Sequence, residues 1–167
     1  HAKARQLKGC EFSFNPVSVT GTANLMMAAC LAEGATILNN CAKEPEIVNL
    51  GEFLISMGAN INGLGSDQIL IEGVDKLEAT TCRVIPDRIE AATFLIAALI
   101  TKSNLKLNGA SAEHLREPMN LLKEAGASIS IAQEFIEVTS LNEIIPVSFT
   151  TSPYPGIPTD LQAQLMV

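Results

Sequence analysis

Two stretches of the chain, LMMAACLAEGATILNNCA from Leu25 and FLIAALITKSNLKLNGAS from Phe94, share one pattern of apolar residues at an offset of 69 positions. Ala28 and Ala29 correspond to Ala97 and Ala98, and Leu38 to Leu107. Further on, SMGANI ending at Ile61 matches EAGASI ending at Ile129, after one deletion. An internal repeat of this kind constrains the chain to form the same supersecondary unit twice, because similar patterns bury similar faces.

Each copy reads as strand, helix, strand, helix, strand, strand. In the first, CEFSF alternates like a strand, Thr22 to Ala32 is an apolar helix closed by Gly34, and ATIL is a short strand. EPEIVNLGEFLISMG reads as a second helix. Pro45 suits a first helical position, Ile47, Leu50, Leu54 and Met57 share a face, and Gly58 is the stop. ANING and QILIEG are strands joined by the turn LGSD. In the second copy CRVI is expected as a strand leading into a helix from Asp87. NLKLNG, a helix around Leu115 to Ala125, SISIA and FIEVT follow, and IPVSFTTSPYPGIPTD opens a third unit with a strand, a Pro-rich loop and a helix. The connection RVIPDRIE, stiffened by Pro86, is expected to be a hinge between two domains, 1–85 and 86–167. The fold class is therefore α/β: tandem βαβαββ units, with helices carrying the crossovers between parallel strands and covering the sheet.

Composition bounds the function. A chain with 47% hydrophobic and 17% charged residues packs a core, and with 4% aromatics and no Trp that core is aliphatic. The net charge of -7 argues against nucleic acid or an anionic membrane as partner. The longest apolar run, Ala91 to Ile100, is too short to span a bilayer. Cys10, Cys30, Cys41 and Cys82 have no metal-type spacing, which suits a reducing compartment, and Cys30 reads as a small core residue. No P-loop, dinucleotide fingerprint, Ser–His–Asp set or metal cluster is present, so no cofactor or metal is implied. His114 is expected to be solvated and receives no role. The chain begins at His1 and ends within a helical pattern, and it is expected to be an internal piece of a longer protein.

The residues that could carry chemistry lie at helix starts. In VSVTGT, amides at the start of a helix could bind an anion, with Gly21 permitting close approach; the plainer reading is a turn capped by Thr20 or Thr22. Glu44 and Glu46 flank Pro45, where two acids stabilise a helix N-terminus, a use that outranks acid–base work. Asp87 and Glu90 form a cap with a reciprocal acid, which leaves Arg88 to bind an anion or to pair with Glu44 or Glu46 across the hinge. Thr159 and Gln162 read as a second capping box, so the cap does not account for the carboxylate of Asp160.

The stretches VSVTGTANLMMAACLAEGATIL, CAKEPEIVNLGEFLISMGA, RVIPDRIEAATFL and GIPTDLQAQ together resemble the UDP-N-acetylglucosamine enolpyruvyl transferases, over essentially the whole chain. The sister enzymes that make enolpyruvylshikimate phosphate share the repeat architecture but not the strings EPEIV, PDRIE and PTDLQAQ. The resemblance implies two domains, each an inside-out α/β barrel of three repeat units. This chain would hold the last unit of the first domain, the first unit of the second and the opening of the next, crossing between domains at Val84 to Pro86. It implies a cytoplasmic enzyme that moves the enolpyruvyl group of phosphoenolpyruvate to the 3-hydroxyl of UDP-N-acetylglucosamine, the first committed step of peptidoglycan synthesis. Asp160 matches the aspartate beside the sugar hydroxyl, where an ionised carboxylate can take its proton. Pro16, Val17, Ser18 and Val19 match part of the uridine nucleotide site. A position often basic in the family is Pro16 here, which leaves backbone contacts to a phosphate. The mobile-loop cysteine (aspartate in some members) that protonates phosphoenolpyruvate, and the lysine–asparagine pair that holds its phosphate, match nothing in this chain. The isolated chain is therefore expected to be inactive and to need the remainder of the same polypeptide. Rival readings are a non-catalytic repeat scaffold and a sister transferase acting on another alcohol.

Overall fold

The computed structural model describes residues 4–140 and 143–167. The chain divides into two compact units, His1–Ile85 and Pro86–Val167.

The first unit runs β1 (Glu11–Ser13), α1 (Val19–Ala29), β2 (Ala35–Asn39), α2 (Pro45–Ser56), β3 (Asn60–Asn62) and β4 (Gln68–Glu72). Its sheet has the order β1-β2-β4-β3. Only the β1–β2 pair is parallel; β4 pairs antiparallel with both β2 and β3. The parallel crossover expected from the helices is nonetheless present in split form. β2 and β3, joined by α2, run the same way, and β4 is inserted between them. The buried residues form one apolar cluster in which Met26 of α1, Cys30 at its end, Leu38, Ile69 and Ile71 are fully enclosed. That core follows from the sequence pattern: alternate residues of β2 and β4 face inward, with Leu38 opposite Ile69.

The second unit runs α3 (Arg88–Ile100), β5 (Asn104–Asn108), α4 (Arg116–Glu124), β6 (Ala127–Ile131) and β7 (Phe135–Ser140). A 3-10 turn (Thr159–Leu161) and a short helix α5 (Gln162–Leu165) close it. The sheet order is β5-β7-β6, the same arrangement as β2-β4-β3, with Leu107 opposite Ile136. Backbone conformation repeats as well. Gly58 and Gly126 end their helices at φ 103° and 100°, and Asn40 and Gly109 follow their strands at φ 55° and 75°. These are left-handed positions that Gly and Asn occupy at low cost.

Three expectations are corrected. CRVI is not a strand. Its backbone is taken up by α2 instead, where the Asn49 side chain donates to Arg83 O and accepts from the Ile85 amide, both at 3.4 Å. IPVSFTT likewise forms no strand; the Ile145 amide bonds Ala125 O at 3.0 Å and Thr151 forms a bridge with Ile157. The first helix covers Val19–Ala29 rather than Thr22 to Ala32, because Ser18 and not a threonine caps it.

Candidate functional site

The expected site residues fall in both units. Pro16, Val17, Ser18, Val19, Glu44 and Glu46 belong to the first, and Asp87, Arg88 and Asp160 to the second.

In the first unit, Ser18 is extended (φ -136°, ψ 117°) and its Oγ accepts from the Gly21 amide at 3.1 Å. Gly21 owes its lack of a Cβ to the protein itself, since that atom would sit 2.8 Å from Ser18 Oγ and 2.9 Å from the Phe14 ring. Thr22 is not the cap. It is fully buried, and its hydroxyl donates to Ser18 O at 2.8 Å and accepts from the Ala42 amide at 3.1 Å. That one hydroxyl brings the start of α1 next to the segment that enters α2. The α1 ladder begins with the Thr22 amide on Ser18 O, so the Val19 and Thr20 amides have no partner within the helix and can serve an anion. Pro16 is exposed and has no N–H to add.

Glu44 occupies the N-cap position of α2, with Pro45 as the first helical residue, yet its side chain makes no cap bond. It is 6% exposed, and its Oε2 has no hydrogen-bond partner among the described residues. Glu46 is exposed in the first turn, where a carboxylate complements the helix dipole.

In the second unit Asp87 caps α3, its Oδ1 accepting from the Ile89 amide at 2.8 Å and the Glu90 amide at 3.1 Å. Arg88 has a neighbour that local sequence rules do not indicate: its guanidinium carbon stands 5.6 Å from the centre of the Tyr154 ring, within cation–π range. The capping box read at Thr159 does not form. Thr159 is the first residue of the 3-10 turn, Pro158 precedes it, and no side chain caps it. The Leu161 amide bonds the Pro158 carbonyl at 3.1 Å, an i to i+3 bond that a backbone acceptor satisfies without help. Asp160 is exposed in the middle of this turn, while its neighbour Leu161 is buried in the core of the unit. Gln164 Nε2 donates to Thr93 Oγ1 of α3 at 3.0 Å.

The remaining titratable groups of interest are not at these sites. Burial pushes the Cys30 and Cys41 thiols above their ordinary value, and Asp67 adds to the effect on Cys41. Cys30 is the core residue expected, its Sγ donating to Met26 O at 3.2 Å. His114, expected to be solvated, is half-buried, and its Nδ1 is enclosed without a hydrogen-bond partner among the described residues. No helix among the described residues is long and apolar enough to cross a membrane.

The sequence model of the EPSP synthase (3-phosphoshikimate 1-carboxyvinyltransferase) family matches residues 1–167. The chain belongs to the EPSP synthase family. Within this family of enolpyruvyl transferases it is 48% identical, over 99% of its length, to the UDP-N-acetylglucosamine 1-carboxyvinyltransferase 1 of Carboxydothermus hydrogenoformans. It is also 48% identical to the UDP-N-acetylglucosamine 1-carboxyvinyltransferase of Hydrogenovibrio crunogenus, again over 99% of this chain. The chain spans 39% and 40% of the length of these two relatives. Among solved structures, the enolpyruvyl transferase NikO from Streptomyces tendae superposes with a TM-score of 0.82 at 21% identity, covering 97% of this chain and 42% of that one. EPSP synthase from Acinetobacter baumannii matches with a TM-score of 0.54 at 25% identity, covering 96% of this chain and 36% of that one. The fold expected from the repeat is thus the enolpyruvyl transferase fold.

Proposed function

We propose that this chain is part of a cytoplasmic UDP-N-acetylglucosamine enolpyruvyl transferase serving peptidoglycan synthesis, with His1–Ile85 in the first domain and Pro86–Val167 in the second. The observation that carries the proposal is the 48% identity, over nearly the whole chain, to proteins bearing that name. In this reading the sugar 3-hydroxyl attacks carbon 2 of phosphoenolpyruvate while carbon 3 takes a proton. The tetrahedral adduct then loses a proton from carbon 3 and inorganic phosphate from carbon 2, restoring the double bond. Asp160 accepts the hydroxyl proton, and its exposure on a turn whose backbone is held by Leu161 suits a group that must meet a substrate. The free amides of Val19 and Thr20 face the nucleotide phosphates, with Pro16, Val17 and Ser18 shaping the turn that presents them. Glu44 and Glu46 sit at the start of α2, and Asp87 and Arg88 at the start of α3.

The test is phosphate release by the full-length protein given both UDP-N-acetylglucosamine and phosphoenolpyruvate. Release that requires both substrates is the expected result. Release with 3-phosphoshikimate in place of the sugar nucleotide would transfer the chain to the sister activity, and release with neither acceptor would leave a scaffold. The Asp160→Asn variant should lower kcat by about 100-fold or more, the scale of a lost general base. The 167-residue chain alone should release no phosphate above a protein-free control.

A further inference from the structure

The loop that delivers Asp160 is held at both ends by α3. Upstream, Tyr154 is half-buried with the Arg88 guanidinium 5.6 Å from its ring centre. Downstream, Gln164 is bonded to Thr93. Arg88 and Thr93 both lie in the N-terminal half of α3, directly after the Asp87 cap. Around Tyr154 the loop is internally braced. The Ser152 amide bonds Ile157 O at 2.8 Å and the Gly156 amide bonds Pro153 O at 2.9 Å. A Cβ on Gly156 would fall 1.8 Å from Ser152 Oγ, which would have to turn away to admit it. Ile157 and Leu161 are buried on either side of Asp160.

From this arrangement we infer that Tyr154 is a positioning residue for Asp160, acting through its stacked contact with Arg88. The inference rests on the reading of Asp160 as the base. A cation over a ring face is attracted to the π-electrons without a fixed hydrogen-bond geometry, and the half-buried setting strengthens the attraction. The brace spans Ser152 to Ile157, and the buried Ile157 and Leu161 carry the constraint on to the 3-10 turn. Loss of the ring would release the upstream anchor and leave Ile157, Leu161 and Gln164 to set the carboxylate. A displacement of about 1 Å at a reacting group can cost about 100-fold in rate.

The experiment uses the full-length protein and measures kcat, KM for the sugar nucleotide and melting temperature. The variants are Tyr154→Phe, Tyr154→Ala and Tyr154→Leu, each also in the Asp160→Asn background. Tyr154→Phe keeps the ring and should hold kcat within about 2-fold, while Tyr154→Ala should lower it by about 10-fold or more with a smaller change in KM. In the Asp160→Asn background the same Tyr154 change should alter kcat by less than about 2-fold, because the group being positioned is already gone. Tyr154→Leu keeps apolar bulk and serves if the alanine variant does not fold. Near-normal kcat in a folded Tyr154→Ala or Tyr154→Leu variant, with Asp160→Asn slow, would overturn the positioning role alone. An equal loss in both backgrounds would do the same. Near-normal turnover of Asp160→Asn itself would overturn the base assignment and the positioning role with it.

Discussion

Replacing Thr22 by valine removes one hydroxyl from a site that admits no water. Thr22 is 0% exposed, and its Oγ1 both donates to Ser18 O (2.8 Å) and accepts from the Ala42 amide (3.1 Å). Valine has nearly the same shape, so the cavity that a truncation would leave does not arise. Ser18 O also loses little, because it still accepts from the Thr22 amide at 2.9 Å. The Ala42 N–H, by contrast, is left facing a methyl group within the core, and an unsatisfied buried donor costs about 1–3 kcal/mol. With a urea m-value of about 1–3 kcal/mol/M, the transition of the first unit should move down by roughly 1 M. Hydrogen exchange at the Ala42 amide should quicken at the same time. Ser56→Ala, in the same unit, is the control: its hydroxyl donates to Phe53 O from an exposed position, and the loss should stay within about 0.5 kcal/mol. A Thr22→Val midpoint indistinguishable from that control would refute the claim that this hydroxyl joins the starts of the two helices.

Gly73→Ala should destabilise the first unit by about 1–3 kcal/mol in urea unfolding, because a Cβ there would lie 1.6 Å from the backbone oxygen of Ala32, which cannot swing aside. Asp87→Ala should cost about 0.5–2 kcal/mol, read in the transition of the second unit, since it removes the only side-chain oxygen shown bonding the first amides of α3. Raising the pH through and above the ordinary thiol value of about 8.5 should lower stability. Cys30 and Cys41 have raised folded values, so the unfolded chain sheds protons first and is favoured as pH climbs; a urea midpoint unchanged between pH 8 and 10 would contradict this. At pH 8 a thiol reagent should label Cys10 and Cys82, which are exposed, and reach Cys30 and Cys41 only on unfolding, as peptide mapping would show.

What could be read from the sequence was what local physics decides. The repeat, the helix faces and the stop glycines depend on neighbours a few residues away, and the matched left-handed positions Gly58 and Gly126 bear this out. Two of the errors involve a distant partner. Ser18 and Thr22 satisfy the same capping rule, and the choice between them was made by Ala42, 20 residues beyond Thr22, whose amide needed the threonine hydroxyl inside the core. CRVI is expected as a strand by analogy with the first copy, but Asn49 claims its backbone. Tyr154 is the one tyrosine of the chain, and nothing near it in sequence points to Arg88, 66 positions away. The same distinction ranks the candidate residues. Ser18 and Asp87 are accounted for by the caps they make, so their placement alone says nothing about a substrate. Asp160 caps nothing, lies exposed beside a buried leucine, and stands in a loop braced at several points. Its carboxylate also stands in the first turn of the 3-10 helix, where a negative charge complements the backbone dipole, so turnover of the Asp160→Asn variant, and not placement, decides between a ligand role and a structural one.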